Sequence, residues 1–268
     1  MESIPADPYA QLKATQRRSW GLFAPLAQFT TPAAATLVDY AGIGHGQSVL
    51  DVACGTGVVA VTAALRGAQV QGLDLSPDLL VDARRNAEIV AADILFQEGD
   101  VEALPYADAS FDVVISQFGH MFAPRPALAI AEMLRVLKPG GRIAFSTWPP
   151  ELMFGRLFDL VGRYLPPPAG VPASTAWGEP AVIRERLGDA IDRLEFQREE
   201  LVIPALSATH YLATMERTSG PFIKLIEVLA DQPERIARFR EEAEAIIRQN
   251  FDRNRVRQGY LMSRARKR

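Results

Sequence analysis

Four carboxylates and one glycine-rich turn carry most of the chemistry legible in this chain. Asp51 lies in a short apolar run, Val49-Leu50-Asp51-Val52-Ala53, and Cys54-Gly55-Thr56-Gly57 follows at once. Glycines let the backbone come close to a ligand, and a turn that runs into a helix offers free amide hydrogens. Residues 55–60 also satisfy a loose G-x-G-x-x-A pattern, which on its own suits a dinucleotide equally well. A carboxylate at Asp51, ahead of the turn, repels a pyrophosphate and suits a cationic ligand. Asp74 ends the next apolar run about twenty residues on, where an acidic side chain can accept hydrogen bonds from both hydroxyls of an adenosine ribose. Its plainer reading is a helix-capping aspartate ahead of Ser76-Pro77. Gly99-Asp100-Val101-Glu102 sets a carboxylate beside an apolar side chain, a pair suited to an adenine amino group and ring, or simply to a loop.

Other reactive residue types are sparse. Cys54 is the only cysteine and His45, His120 and His210 the only histidines. No internal disulfide can form, and no ligand spacing signals a metal. The turn needs a small residue at Cys54 and no histidine adjoins it in sequence, so packing is its expected role. His45 reads as structural.

The elements that must position these residues follow from periodicity. Residues 48–53, 69–74, 94–97, 111–116 and 142–147 read as buried strands. Residues 58–65, 77–90 and 126–137 read as helices between them, the last stopped by Lys138-Pro139-Gly140-Gly141. Ser76 reads as an N-cap with proline in the first turn. Strands alternating with helices predict an α/β fold, a doubly wound, mostly parallel Rossmann-like sheet with helices on both faces and its crevice at the carboxyl ends of the strands. Residues 1–45 then form an N-terminal helical lid (9–23 and 32–40), 46–150 the ligand-binding core, and 151–268 a C-terminal helical cap or insertion plus the last strands. In that last part, helices are expected at 154–164 and 179–187, strands at 194–203 and 260–265, and two charged amphipathic helices over 221–250. Those two suit a homodimer face as well as a cap. Pro166-Pro167-Pro168 reads as a surface excursion near the crevice or as a linker.

A formal net charge of -3 gives no global basic field, so nucleic acid is not the expected partner. The basic end, Arg264, Arg266, Lys267 and Arg268, reads as a solvated terminus. No apolar run suits a bilayer span and no leader is apparent; a cytoplasmic location without stable membrane insertion is expected.

Segments 49–57, 72–74, 99–105, 111–116 and 134–142 occur in order and at matching separations. Together they resemble the class I S-adenosylmethionine-dependent methyltransferases, nearest the ubiquinone- and menaquinone-biosynthesis-type (methyltransferase type 11) group. The resemblance covers residues 47–148 and does not extend to the methyl acceptor. It implies that Ala53, Gly55 and Gly57 hold the methionine part of S-adenosylmethionine by backbone contacts, with Asp51 fixing its amino group. Asp74 is implied to bind the ribose, Leu75 to pack on the adenine, Asp100 and Val101 to meet it from the other side, and Gln117 to lie beside the sulfonium. An N-terminal helix that covers the cofactor nominates Gln16, Arg17 and Trp20.

Methyl transfer from a sulfonium is an in-line displacement, so the protein mainly aligns the reactants and excludes water. A base is needed only if the acceptor must lose its proton early. His120 is the nominated catalytic group, with a histidine packed under a loop as its other reading; His210 and Tyr211 are fainter candidates. Phe154, Leu157, Phe158, Tyr164, Trp177, Phe222 and Ile226 are expected either to line an apolar small-molecule acceptor pocket or to be ordinary core. Two alternatives stay open: an NAD(P)-dependent oxidoreductase on a similar sheet, disfavoured by Asp51 ahead of the turn, and a non-catalytic S-adenosylmethionine-binding protein.

Overall fold

Short runs of valine, leucine and isoleucine make the strands of one mixed eight-stranded sheet in a computed structural model that describes residues 7–268. β1 (Ser48–Val52), β2 (Gln69–Asp74), β3 (Ile94–Glu98), β4 (Phe111–Gln117) and β5 (Leu137–Thr147) form a parallel block in the order β3-β2-β1-β4-β5. β8 (Arg255–Lys267) pairs antiparallel with β5, and β6 (Ile191–Pro204) and the short β7 (Phe251–Asp252) pair antiparallel with β8. In β1 and β4, Val49, Leu50, Val52, Val113, Val114 and Ile115 are all fully buried. Continuous apolar strands of this kind need cover on both faces. α2 (Ala27–Ala41), α3 (Val58–Leu65) and α4 (Pro77–Ile89) pack in a row on one face; α5 (Pro126–Val136) and α7 (Pro180–Leu187) pack together on the other. The expected α/β architecture is therefore present. β6, at the sheet edge, alternates buried with charged exposed residues, which discourages pairing with another chain.

The ends of the chain supply the cover. α1 (Ala10–Ser19) leads into a 3-10 run, Trp20–Leu26, and then into α2. α6 (Met153–Tyr164), α8 (Ala208–Thr218), α9 (Gly220–Val228) and α10 (Pro233–Arg248) pack on one another, and α8 and α9 also touch the 3-10 run. Among the described residues no helix is long and apolar enough to cross a membrane.

Three elements differ from expectation. α2 begins at Ala27 and carries Pro32 inside it; the proline removes one N–H, while the hydroxyls of Thr30 and Thr31 donate to the Ala27 carbonyl. Lys138-Pro139-Gly140-Gly141 ends α5 as read, but it is a bulge inside β5, where the register jumps between Phe111↔Leu137 and Val113↔Arg142. α8 was not foreseen. Its buried Ala208, Tyr211, Leu212 and Met215 follow a helical period that is only four positions long. The basic end is not a free terminus: Arg266 pairs with Asp192, Arg264 with Glu195, and Lys267 donates to the Leu134 and Leu137 carbonyls.

Candidate functional site

One cavity lies at the carboxyl ends of β1, β2 and β4, where the strand order reverses between β1 and β4. Such a reversal parts the following helices and leaves a crevice. Asp51, near the end of β1, pairs with Gly72 on one side and Ile115 on the other. The chain then turns sharply at Ala53, whose φ of 54° is left-handed; that conformation costs a non-glycine residue roughly 1–2 kcal/mol. Gly119 makes it feasible, since a Cβ there would come within 2.5 Å of the Ala53 Cβ. Gly57, with φ 77°, starts α3 but does not line the cavity. A Cβ on Gly57 would stand 3.0 Å from Phe96 and 3.2 Å from Ala83, so this glycine serves packing of the turn on β3 and α4 rather than ligand contact. Asp51, Ala53, Gly55, Asp74, Leu75, Asp100, Val101, Gln117 and Trp20 all line the cavity.

The carboxylates are buried to different ends. Asp74 Oδ2 accepts from the Gly55 N–H at 2.8 Å and Oδ1 from the Ser76 N–H at 2.8 Å. It thus braces the glycine turn and also opens α4. Ser76 occupies the N-cap position, but its hydroxyl makes no capping bond, because the turn is held through the Ser76 N–H instead. Asp51 Oδ2 accepts from the Ala60 N–H at 3.0 Å, whereas Oδ1 is buried without a partner among the described residues. Burial, with the negative charge of Asp74 adding to it, pushes the Asp51 carboxyl well above the usual carboxylate range. Gln117 repeats the pattern: Nε2 donates to the Thr30 carbonyl at 3.1 Å, and Oε1 is buried without a partner among the described residues. Two unsatisfied acceptors at the ends of adjacent strands fit a ligand group that has only donors, such as an ammonium.

A cluster of charges ties the first helix to the rim. Lys13 of α1 contacts Asp7 at 2.7 Å, Asp100 at 2.6 Å and Glu102, and Arg125 reaches Asp7 and Glu102. Burial works against the charge on Lys13, but its bonds to Asp100, Asp7 and Glu102 outweigh it and hold the ammonium above the ordinary lysine range. Asp7, Asp100 and Glu102 stand close enough to share a metal ion. The Lys13 ammonium already bonds to all three, and with Arg125 it offsets two of their three charges, so the cluster is read as a latch. Asp100 accepts from Lys13 and, through Oδ1, from the Glu102 N–H. Gln16 lines the cavity and donates to the Phe122 carbonyl; Trp20 lies 4.7 Å from Phe122, ring to ring. Arg17, nominated with them, instead forms an exposed pair with Glu98.

His120 does not line the cavity. It is fully buried, with its ring 4.7 Å from both Phe145 and Trp177 and neither nitrogen hydrogen-bonded among the described residues. Burial, assisted by the charge of Arg186, pulls its pKa down to about 3. This placement corrects the nomination of His120 as a base: a histidine packed under a loop is what the surroundings describe. His210 is exposed, and Tyr211 lines the cavity. Burial, then the carboxylates of Asp51 and Asp74, hold the Cys54 thiol well above its usual range, so it stays protonated and inert.

The other half of the cavity was mostly invisible in the sequence. Of the seven apolar candidates, Phe154 and Phe158 line it and Leu157, Tyr164, Trp177, Phe222 and Ile226 do not; Trp177 and Phe222 are fully buried core. The wall is completed by Phe23, Phe29, Phe118, Phe122, Trp148, Ile203, Tyr211 and Met215. These come from the 3-10 run, α2, the segment after β4, the end of β5, β6 and α8, which no local pattern links. Phe118 stacks on Trp148 at 3.9 Å, and its left-handed φ of 60° turns the chain there.

Comparison with known proteins gives this geometry a context. Residues 50–145 match the model of a methyltransferase domain. A Mycobacterium tuberculosis chain known only as an uncharacterised protein is 33% identical over 258 residues, covering 94% of each chain. The demethylmenaquinone methyltransferase of Deinococcus radiodurans is 42% identical over 130 residues, 47% of this chain and 54% of its own. Among solved structures, the YcgJ protein of Bacillus subtilis superposes with a TM-score of 0.61 at 21% identity, over 88% of this chain and 97% of its own.

Proposed function

Since the chain belongs to the class I S-adenosylmethionine-dependent methyltransferases, we propose that this cavity binds S-adenosylmethionine between Asp51, Gln117 and Asp74 and presents its methyl group to a small molecule in the aromatic half. One observation carries the reading: Asp51 Oδ1 and Gln117 Oε1 are both buried in residues that line the same cavity, and neither has a hydrogen-bond partner among the described residues. An ammonium would satisfy both. Asp74, already fixed by two backbone amides, would accept from the ribose hydroxyls with its remaining lone pairs. Leu75 and Val101 would flank the adenine, and the turn at Ala53 and Gly55 would pass along the methionine part.

When bound, S-adenosylmethionine supplies an electrophilic methyl on a positively charged sulfur. The chain's own residues bind, orient and keep out water. Gln16 and Trp20 cover the cavity from the first helices, held there by the Lys13 latch. The aromatic wall lowers the local dielectric around the reacting centre, and fixing both reactants in one cavity removes the entropic cost of their encounter. We assign no general base: His120 is outside the cavity, and burial holds the phenol of Tyr211 protonated.

Calorimetric titration with S-adenosylmethionine and, separately, with NADH tests the proposal. Saturable binding of S-adenosylmethionine is expected, weakened on the order of a hundredfold in Asp51→Asn, which removes the charge but keeps the shape. Preference for NADH would move the reading to an oxidoreductase, and unchanged affinity in the variant would remove Asp51 from the site.

A further inference from the structure

The aromatic half of the cavity has a chemistry of its own. Six rings that line it follow one another in contact: Trp20 to Phe122 at 4.7 Å, Phe122 to Phe158 at 5.6 Å, Phe158 to Phe154 at 4.8 Å, Phe154 to Trp148 at 4.8 Å and Trp148 to Phe118 at 3.9 Å. Such a wall, longer than one ring, favours flat apolar ligands through area and through stacked or edge contacts. Among the described residues, charged groups line the cavity only as Lys13, Asp51, Asp74 and Asp100. Lys13 is neutralised by its three carboxylates, and the aspartates lie on the strand-end side already described. An ionic ligand in the aromatic half would therefore meet no counterion among the described residues, and a buried unpaired charge is strongly disfavoured.

One polar fixture interrupts this half. Gln258 of β8 donates through Nε2 to the hydroxyl of Tyr211 of α8; both residues are buried and both line the cavity. The amide occupies the oxygen of the phenol, and the O–H has no acceptor among the described residues. Burial raises the pKa of Tyr211, so the group keeps its proton and works as a donor. A neutral donor in an apolar aromatic chamber reads an oxygen on the ligand.

Resting on the cofactor reading above, we propose that the methyl acceptor is an uncharged, flat, largely apolar molecule, one oxygen of which accepts from Tyr211. Tyr211 is then a specificity-determining residue, set by Gln258.

The test uses the whole chain loaded with S-adenosylhomocysteine and titrated with 2-naphthol, naphthalene, 2-naphthoate and 2-naphthylmethylammonium. Tighter binding of 2-naphthol than of the other three is expected, by about tenfold over naphthalene. Tyr211→Phe should abolish that advantage with naphthalene binding unchanged. Phe158→Ala should weaken 2-naphthol and naphthalene alike, which keeps the test decisive if Tyr211→Phe fails to fold. Equal affinity for 2-naphthol and naphthalene, an advantage surviving in Tyr211→Phe, or tighter binding of either ion would overturn the proposal. S-adenosylhomocysteine binding is measured first: if it fails, the cofactor reading falls and takes this one with it, whereas bound S-adenosylhomocysteine with no 2-naphthol binding sinks the acceptor proposal alone.

Discussion

The two halves of the cavity are built on opposite principles. The strand-end half holds buried carboxylates, a left-handed alanine and two acceptor oxygens without donors. Its polar groups are costly as they stand, and a ligand of the right charge offsets the cost. The aromatic half has rings already packed on one another and a tyrosine–glutamine pair already bonded. The first half selects by need and the second by fit. Affinity for the cofactor should therefore be sensitive to charge and pH, and affinity for the acceptor to shape and one hydrogen bond.

The sharpest way to break this contrast is at the Lys13 latch, which joins α1 to the rim at Asp100. Lys13→Met leaves Asp7, Asp100 and Glu102 facing one another with only Arg125 nearby. A loss of about 2–3 kcal/mol is expected in denaturant unfolding, at the low end for a broken buried pair because Asp7 and Asp100 are partly exposed. Adding Glu102→Gln should recover part of it, and no recovery would mean that Lys13 acts through packing.

A smaller effect follows from Asp51. Its raised pKa means that the folded chain without ligand holds a proton there at pH values where the unfolded chain has released it. Stability of the unliganded protein from this group therefore falls as pH rises above the ordinary carboxylate range. A cationic ligand needs the ionised form, so affinity for S-adenosylmethionine should rise, by about tenfold, as pH is raised above the ordinary carboxylate range. Titrations over that rise in pH on the wild type and Asp51→Asn check it, and the variant should show a flat profile.

The smallest effect is expected outside the cavity. His120 is depressed to about 3 from 6.5, so its contribution to stability is complete above the unfolded value and is lost as pH falls from 6.5 towards 3. His120→Leu has no hydrogen bond to lose. It should change stability at neutral pH by less than about 1 kcal/mol, resist acid better than the wild type, and leave S-adenosylmethionine binding unchanged. A large loss of binding would return His120 to the site.

The same contrast governs what could be read from sequence. Asp51, Gly55 and Asp74 sit at the ends of strands whose runs are unmistakable, and a strand–turn–helix unit is local, so spacing alone sets them together. Gly57 was legible as a necessary glycine but not as a packing one, because Phe96 and Ala83 reach it from other elements. The aromatic wall was not legible. Phe118, Trp148, Ile203 and Tyr211 meet only once the sheet has brought β4, β5, β6 and α8 to one side. Trp177 and Phe222 have the same residue types and similar spacing yet face the core. His120 failed for the same reason: its distance from the strand end was readable, and the rings of Phe145 and Trp177 around it were not.

The β6–β8 pair has a further consequence. Its ladder runs from Ile191↔Lys267 to Pro204↔Arg255 and is closed at the tip by the Ala205 N–H to the Asn254 carbonyl. α8, α9, α10 and β7 therefore hang from a stalk whose two ends are already clamped together, while the parallel block lies wholly outside that loop. Loop-closure entropy grows only slowly with length, so the hanging segment can be lengthened, trimmed or exchanged at little cost to the sheet. Tyr211 and Met215 ride on it, and Asp51 and Asp74 do not. On the proposed reading, a change confined to that segment would alter the contact with the acceptor's oxygen and leave the carboxylates that face the cofactor in place.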